Sequence, residues 1–199
     1  SLCWGYMLAS PNSTQSTFWE GFLKTGQFGY QGIYMSHAHA WATGPAIALT
    51  NFILGLRPLE ASKTSYLFSP QPNRGGGKVK PLLSVSGSRN VPGGTLFVDW
   101  TVGDGYFAPS TPKKNSLTCR VAVGVDNSEI FNDVLVQIAA PLPNGQPLEN
   151  LSVHLNKKLI WTESSKSLTN VSAIELREGR LHIDLKLNER EPSWTLEIL

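Results

Sequence analysis

The apolar positions of this chain change their period once. Up to about residue 60 they recur at helical intervals, and beyond about residue 80 they alternate every second residue. His182-Ile183-Asp184-Leu185-Lys186-Leu187 alternates polar and apolar throughout, as a strand with one wet face does. Residues 82–85, 95–101, 117–125, 134–140, 151–155, 158–162, 173–177 and 194–199 also have strand character, separated by Pro and Gly turns. Nine short strands of this kind predict an antiparallel β-sandwich over residues 81–199, with Glu178-Gly179-Arg180 as a tight hairpin.

The first part reads differently. Leu2, Trp4, Tyr6, Met7 and Leu8 leave almost no polar face, so this segment, if helical, is expected to be buried on most sides until Pro11 stops it. Thr17 followed three residues later by Glu20 has the spacing of a capping box and predicts a helix from about Phe18 to Lys24. Gly26, Gly29 and Gly32, interleaved with Phe28, Tyr30 and Tyr34, make an aromatic loop. From Trp41 onward Ala46, Ile47, Leu49, Phe52, Ile53 and Leu54 again recur at helical spacing, with Pro45 in the first turns and Gly55 and Pro58 at the end. Residues 61–80, with Pro70, Pro72 and Gly75-Gly76-Gly77, read as a linker between a helical part, 1–60, and the sandwich, 81–199.

Composition narrows the function. With 17 basic against 15 acidic side chains the net charge is +2, and no cluster of Lys and Arg offers a surface for nucleic acid or a membrane. No run of about 18 apolar residues is present to span a bilayer. Sequons begin at Asn12, Asn150 and Asn170 and suggest N-glycosylation of a secreted protein. Cys3 and Cys119 could form one disulfide, though burial as two thiols is the default for their apolar settings. The chain opens abruptly on an apolar, uncapped segment, so the natural start of the first domain is expected upstream.

Candidate chemistry concentrates between Ser16 and Pro58. Sugars offer CH faces to aromatic rings and hydroxyls to polar side chains, so Trp19, Trp41, Glu20, His37 and His39 form a candidate carbohydrate-binding set, with packing in the core as the competing reading of the two tryptophans. Glu20 has two compatible readings: the N3 residue of a capping box, or a general base that activates water. His37 and His39 could share a zinc ion, but no nearby Cys or compact Asp/Glu group completes a ligand set, so no metal or other cofactor is expected. Gly75-Gly76-Gly77-Lys78 lacks the remainder of a phosphate-binding loop.

Ser16-Thr17-Phe18-Trp19-Glu20, Ser36-His37-Ala38-His39-Ala40-Trp41 and Leu54-Gly55-Leu56-Arg57-Pro58 together resemble α-L-rhamnosidases, inverting glycoside hydrolases, the secreted fungal ones in particular. The resemblance covers about the first hundred residues. It implies that residues 1–60 are the end of an (α/α)6 helical barrel, followed by the β-sandwich. It also implies that Glu20 is the general base, that His39, or else His37, contacts rhamnose, and that Trp19 and Trp41 line the pocket. An inverting enzyme needs a general acid about 6.5–9.5 Å from its base. No residue of this chain matches that acid, so the chain would be the C-terminal part of an enzyme, inactive alone and partnered by the upstream remainder of the barrel. The substrate would be a rhamnose-containing glycoside or polysaccharide. The alternatives are a non-catalytic carbohydrate-binding or interaction module, and an (α/α)6 glycosidase or lyase of other specificity.

Overall fold

The structure is a computed structural model. It describes residues 4–11, 15–27, 35–60, 64–103, 105–107, 116–143, 151–162, 174–188, 190 and 192–199. Cys3, the loop aromatics Phe28, Tyr30 and Tyr34, and the sequon residues Asn12, Asn150 and Asn170 lie outside these. The chain divides into two compact units, residues 1–48 and 49–199.

The first unit begins with α1 (Trp4–Ala9). Its Met7 is buried, but Leu8 is 55% exposed, so α1 presents one inward face rather than burial on most sides. The predicted helix over 18–24 does not form. In its place, residues 17–20 run antiparallel to residues 36–39: Glu20 N–H donates to the Ser36 carbonyl at 2.9 Å, and His39 N–H to the Phe18 carbonyl at 2.8 Å. A seven-residue helix with Gly21 inside it would have to repay nucleation from few bonds, whereas the pairing with 36–39 satisfies the same backbone groups non-locally. Past this pairing the chain continues into a 3₁₀ turn (Ala40–Thr43) and α2 (Gly44–Ala48).

The second unit starts with a π-helical turn, Leu49–Leu54. The helical stretch stops at Gly55, as its sequence predicts: φ is +84°, and a Cβ there would lie 2.2 Å from the Ser69 carbonyl oxygen. Beyond it come β1 (Leu56–Pro58), β2 (Ser65–Phe68), β3 (Ser84–Val91), β4 (Gly94–Val102), β5 (Leu117–Val125), β6 (Val134–Pro141), β7 (Ser152–Leu155), β8 (Lys158–Thr162), β9 (Ile174–Arg177), β10 (Arg180–Leu187) and β11 (Ser193–Ile198). They form a five-stranded sheet in the order β1-β2-β6-β10-β9 and a six-stranded sheet in the order β3-β4-β5-β11-β7-β8.

The nine predicted strands correspond to β3–β11. Inward residues from the two sheets share one core, in which Phe68, Ile138, Ile183 and Leu187 of the smaller sheet join Trp100, Cys119 and Leu196 of the larger. In β10, Leu181, Ile183, Leu185 and Leu187 are buried while His182, Asp184 and Lys186 face outward, the side that alternation assigns to water. Glu178 and Gly179 both have positive φ, +51° and +70°, which is the requirement of the two-residue turn joining β9 to β10.

Two expectations change. The sandwich is not wholly antiparallel, because β2 pairs parallel to β6, Tyr66 opposite Val136. Residues 61–80 are not simply a linker: 65–68 form β2, with β1 and β6 on either side, and the glycine run makes a tight turn in which Gly76 and Val79 exchange backbone hydrogen bonds at 3.1 and 2.9 Å. Strands as short as β1 and β2 carry too few alternations to register as a period, and β6, the second partner of β2, is distant in sequence. The described helices are α1 and the segments between Ala40 and Leu54, short pieces that do not of themselves display the expected end of a helical barrel.

Candidate functional site

The paired segments of the first unit fix the direction of each candidate side chain. Trp19 and Glu20 are neighbours in the chain with different surroundings. Trp19 turns inward, 2% exposed. Its ring meets Tyr6 edge-on at 6.2 Å and Phe22 edge-on at 6.2 Å, and stands 6.1 Å from His37. Tyr6 is itself anchored by its hydroxyl, which donates to the Gly26 carbonyl at 2.7 Å. Trp19 is thus the centre of a small aromatic core.

Glu20 is half-buried and bonds across to the opposite segment. Its Oε2 accepts the Ser36 backbone N–H at 2.9 Å, while its own N–H donates to the Ser36 carbonyl. The two bonds lock the carboxylate to the opposite segment. Thr17 Oγ1, the other half of the expected capping box, donates instead to the His37 carbonyl at 2.6 Å. With no helix at 18–24 there is no helix N-terminus to cap. Of the two sequence readings of Glu20, the local one is therefore replaced by a bond to a residue sixteen positions away.

Glu20, His39, Trp41 and Ala42 line a cavity of about 370 Å³. His39 is half-buried, and its ring meets Trp41 edge-on at 5.5 Å. Trp41 is 91% exposed and lies within the 3₁₀ turn, whose geometry is held by the Ala42 N–H to His39 carbonyl bond at 3.0 Å and by Thr43 Oγ1 to the Ala40 carbonyl at 2.6 Å. His37 is exposed and does not line the cavity. The structure therefore brings together Glu20, His39 and Trp41, and sets Trp19 and His37 apart from them.

Chemically, the cavity offers a carboxylate able to accept a proton, an imidazole able to donate or accept a hydrogen bond, and an aromatic face open to solvent. Among the described residues no group of three or more His, Cys, Asp or Glu side chains is placed to hold a metal ion. Ser36 is the site residue that sequence reasoning missed as a partner of Glu20. It lies inside the aromatic and histidine segment, but no local spacing signals a bond across sixteen residues.

A two-sheet β-sandwich preceded by a small aromatic unit is the class of architecture these observations define. No protein-family model and no curated protein sequence matches this chain. Among solved structures it is similar to α-L-rhamnosidase from Dictyoglumus thermophilum, at 17% identity and a TM-score of 0.56, over 90% of this chain and 16% of that one. It is also similar to Streptomyces avermitilis α-L-rhamnosidase complexed with L-rhamnose, at 14% identity and a TM-score of 0.52, over 91% of this chain and 13% of that one. The chain thus has a rhamnosidase-like fold and spans about one-sixth or less of the length of these structures.

Proposed function

We propose that this chain is the C-terminal part of a secreted glycoside hydrolase that releases terminal α-L-rhamnose with inversion. The observation that carries the reading is the shared cavity of Glu20, His39 and Trp41, on a chain whose fold is similar to that of two α-L-rhamnosidases. In this reading Glu20, held by the Ser36 N–H, takes a proton from water as that water attacks the anomeric carbon. His39 hydrogen-bonds a ring hydroxyl, and the open face of Trp41 carries the apolar side of the sugar. The general acid that protonates the leaving oxygen belongs to the upstream part of the enzyme, and the chain alone is inactive.

The test uses the enzyme that joins this chain to its upstream part, with an aryl α-L-rhamnoside as substrate. Glu20→Gln should lower kcat by about 10²–10⁴-fold. In the unaltered enzyme the first sugar detected by NMR should be the β-anomer. In Glu20→Ala, azide should restore turnover and yield the β-rhamnosyl azide, since a small anion can enter the space left by the carboxylate. Release of the α-anomer first, or full activity in Glu20→Gln, would overturn the assignment.

A second reading, binding of carbohydrate without hydrolysis, is favoured by one feature, the 91% exposure of Trp41. It takes over if the joined enzyme hydrolyses no rhamnoside while L-rhamnose quenches Trp41 fluorescence.

A further inference from the structure

A separate cavity of about 500 Å³ lies within the second unit, lined by Asn51, Phe52, Arg57, Ser69 and Gln71. The π-helical turn supplies Asn51 and Phe52, β1 supplies Arg57, and the segment leaving β2 supplies the other two. Phe52 is 61% exposed, an apolar ring left in water. Arg57 is exposed, and among the described residues its guanidinium has neither a hydrogen bond nor an ion pair. The side-chain amide of Asn51, half-buried, is likewise without a partner among them.

The opposite wall is built rather than loose. Arg180 donates from one guanidinium nitrogen to Ser69 Oγ at 3.1 Å and the Ala139 carbonyl at 3.0 Å, and from the other to Gln71 Oε1 at 3.1 Å. Gln71 Nε2 in turn donates to Ser69 Oγ at 3.3 Å. Arg180 thereby orients a hydroxyl and an amide toward the cavity and adds a second positive charge behind them. Among the described residues no carboxylate lines the cavity.

We propose that this cavity binds an acidic sugar, a hexuronate unit of an oligosaccharide. Arg57 takes the carboxylate through a paired guanidinium contact, Phe52 takes the CH face of the ring, and Asn51 and Gln71 take ring hydroxyls. Each group has the chemistry its partner needs. A guanidinium matches a carboxylate in two parallel bonds. An exposed aromatic ring offers a face to an apolar plane. Amides donate and accept, as sugar hydroxyls do. The volume is that of a small-molecule site. A nucleic-acid strand fits less well, because it needs a row of cations along its phosphates, whereas among the described residues Arg57 is the one cation lining the cavity whose hydrogen bonds are uncommitted. The inference does not depend on hydrolysis, and its test does not read hydrolysis.

The experiment measures binding of the full chain, by calorimetry, to an oligogalacturonide and to the same oligomer methyl-esterified. The acid form should bind, and the neutral ester should bind at least about tenfold more weakly. Arg57→Gln should lose about tenfold or more, and Asn51→Asp should abolish binding by placing a carboxylate against the ligand's own. Lys158→Gln, on β8 of the other sheet, removes the same charge and should change nothing. Thermal unfolding of each variant verifies that it is folded. Equal binding of acid and ester overturns the proposal, as do unchanged binding in both Arg57→Gln and Asn51→Asp, equal weakening by Lys158→Gln, and Arg57-dependent binding of a single-stranded oligonucleotide as tight as that of the uronate.

Discussion

Ser36 and Glu20 hold each other through two bonds: the Ser36 N–H donates to Glu20 Oε2 at 2.9 Å, and the Glu20 N–H donates to the Ser36 carbonyl at 2.9 Å. One bond uses the side chain and the other only the backbone, so substitutions at Glu20 can separate structure from chemistry. Glu20→Gln keeps an acceptor for the Ser36 N–H and removes the ionised oxygen. Glu20→Ala removes both. We expect Glu20→Ala to destabilise the first unit by about 1–3 kcal/mol, the cost of an unpaired donor, and Glu20→Gln to cost clearly less. Thermal unfolding of the two variants side by side checks this, and equal losses would mean that the Ser36 bond contributes nothing.

The two tryptophans should part company under mutation. Trp19 is 2% exposed among Tyr6, Phe22 and His37, so Trp19→Ala should cost about 3–5 kcal/mol through lost burial and a residual cavity. Trp41 is 91% exposed, and Trp41→Ala should change stability by no more than about 0.5 kcal/mol while weakening sugar binding. Denaturant titration combined with L-rhamnose binding separates the pair.

Gly55 should tolerate no side chain. Its φ of +84° and the 2.2 Å separation that a Cβ would have from the Ser69 carbonyl oxygen act together, and the Ser69 N–H to Gly55 carbonyl bond at 2.8 Å keeps the two segments from separating. Gly55→Ala is expected to lower Tm by several degrees, at about 2–4 °C per kcal/mol for a chain of this size. Gly76, with no positive φ and open space around it, serves as the control: Gly76→Ala should be neutral or mildly stabilising.

Cys119 is a free thiol with no exposed surface, and burial, followed by the nearby Asp99 charge, pushes its pKa above the thiol's ordinary value of 9.0. The native state therefore keeps a proton that the unfolded chain gives up. The associated stability is fully present below about pH 9 and is lost as pH rises from there toward the native value. Urea unfolding at mildly and strongly alkaline pH should show this decline, and Cys119→Ala should show a shallower one. Peptide mapping after iodoacetamide treatment should find Cys119 unmodified in the native state and alkylated in urea; native alkylation would contradict its burial.

Much of the sandwich was legible in the residues. Strict alternation in β10, dense β-branched runs in β5 and β6, and Glu178-Gly179 at a two-residue turn each carry their structure locally. Strands β1 and β2 were not legible, because three and four residues hold too few alternations and the parallel partner β6 lies some seventy positions away. At the site, residue types pointed to Glu20, His39 and Trp41, but they pointed equally to Trp19 and His37. Thr17 and Glu20 also had the spacing of a local cap, and a pairing with residues 36–39 replaced it.

The sequence by itself determined where the polypeptide alternates, where it turns, and which side chains could meet a sugar, because those properties belong to neighbouring residues. Tertiary structure decided which of these candidates share a cavity. Trp19 went inward and Trp41 outward, Glu20 was bound to Ser36, and Arg57, Phe52 and Gln71 converged from three separate segments. Each outcome depends on contacts between residues far apart in the chain, whose free energies are realised only when the backbone has folded.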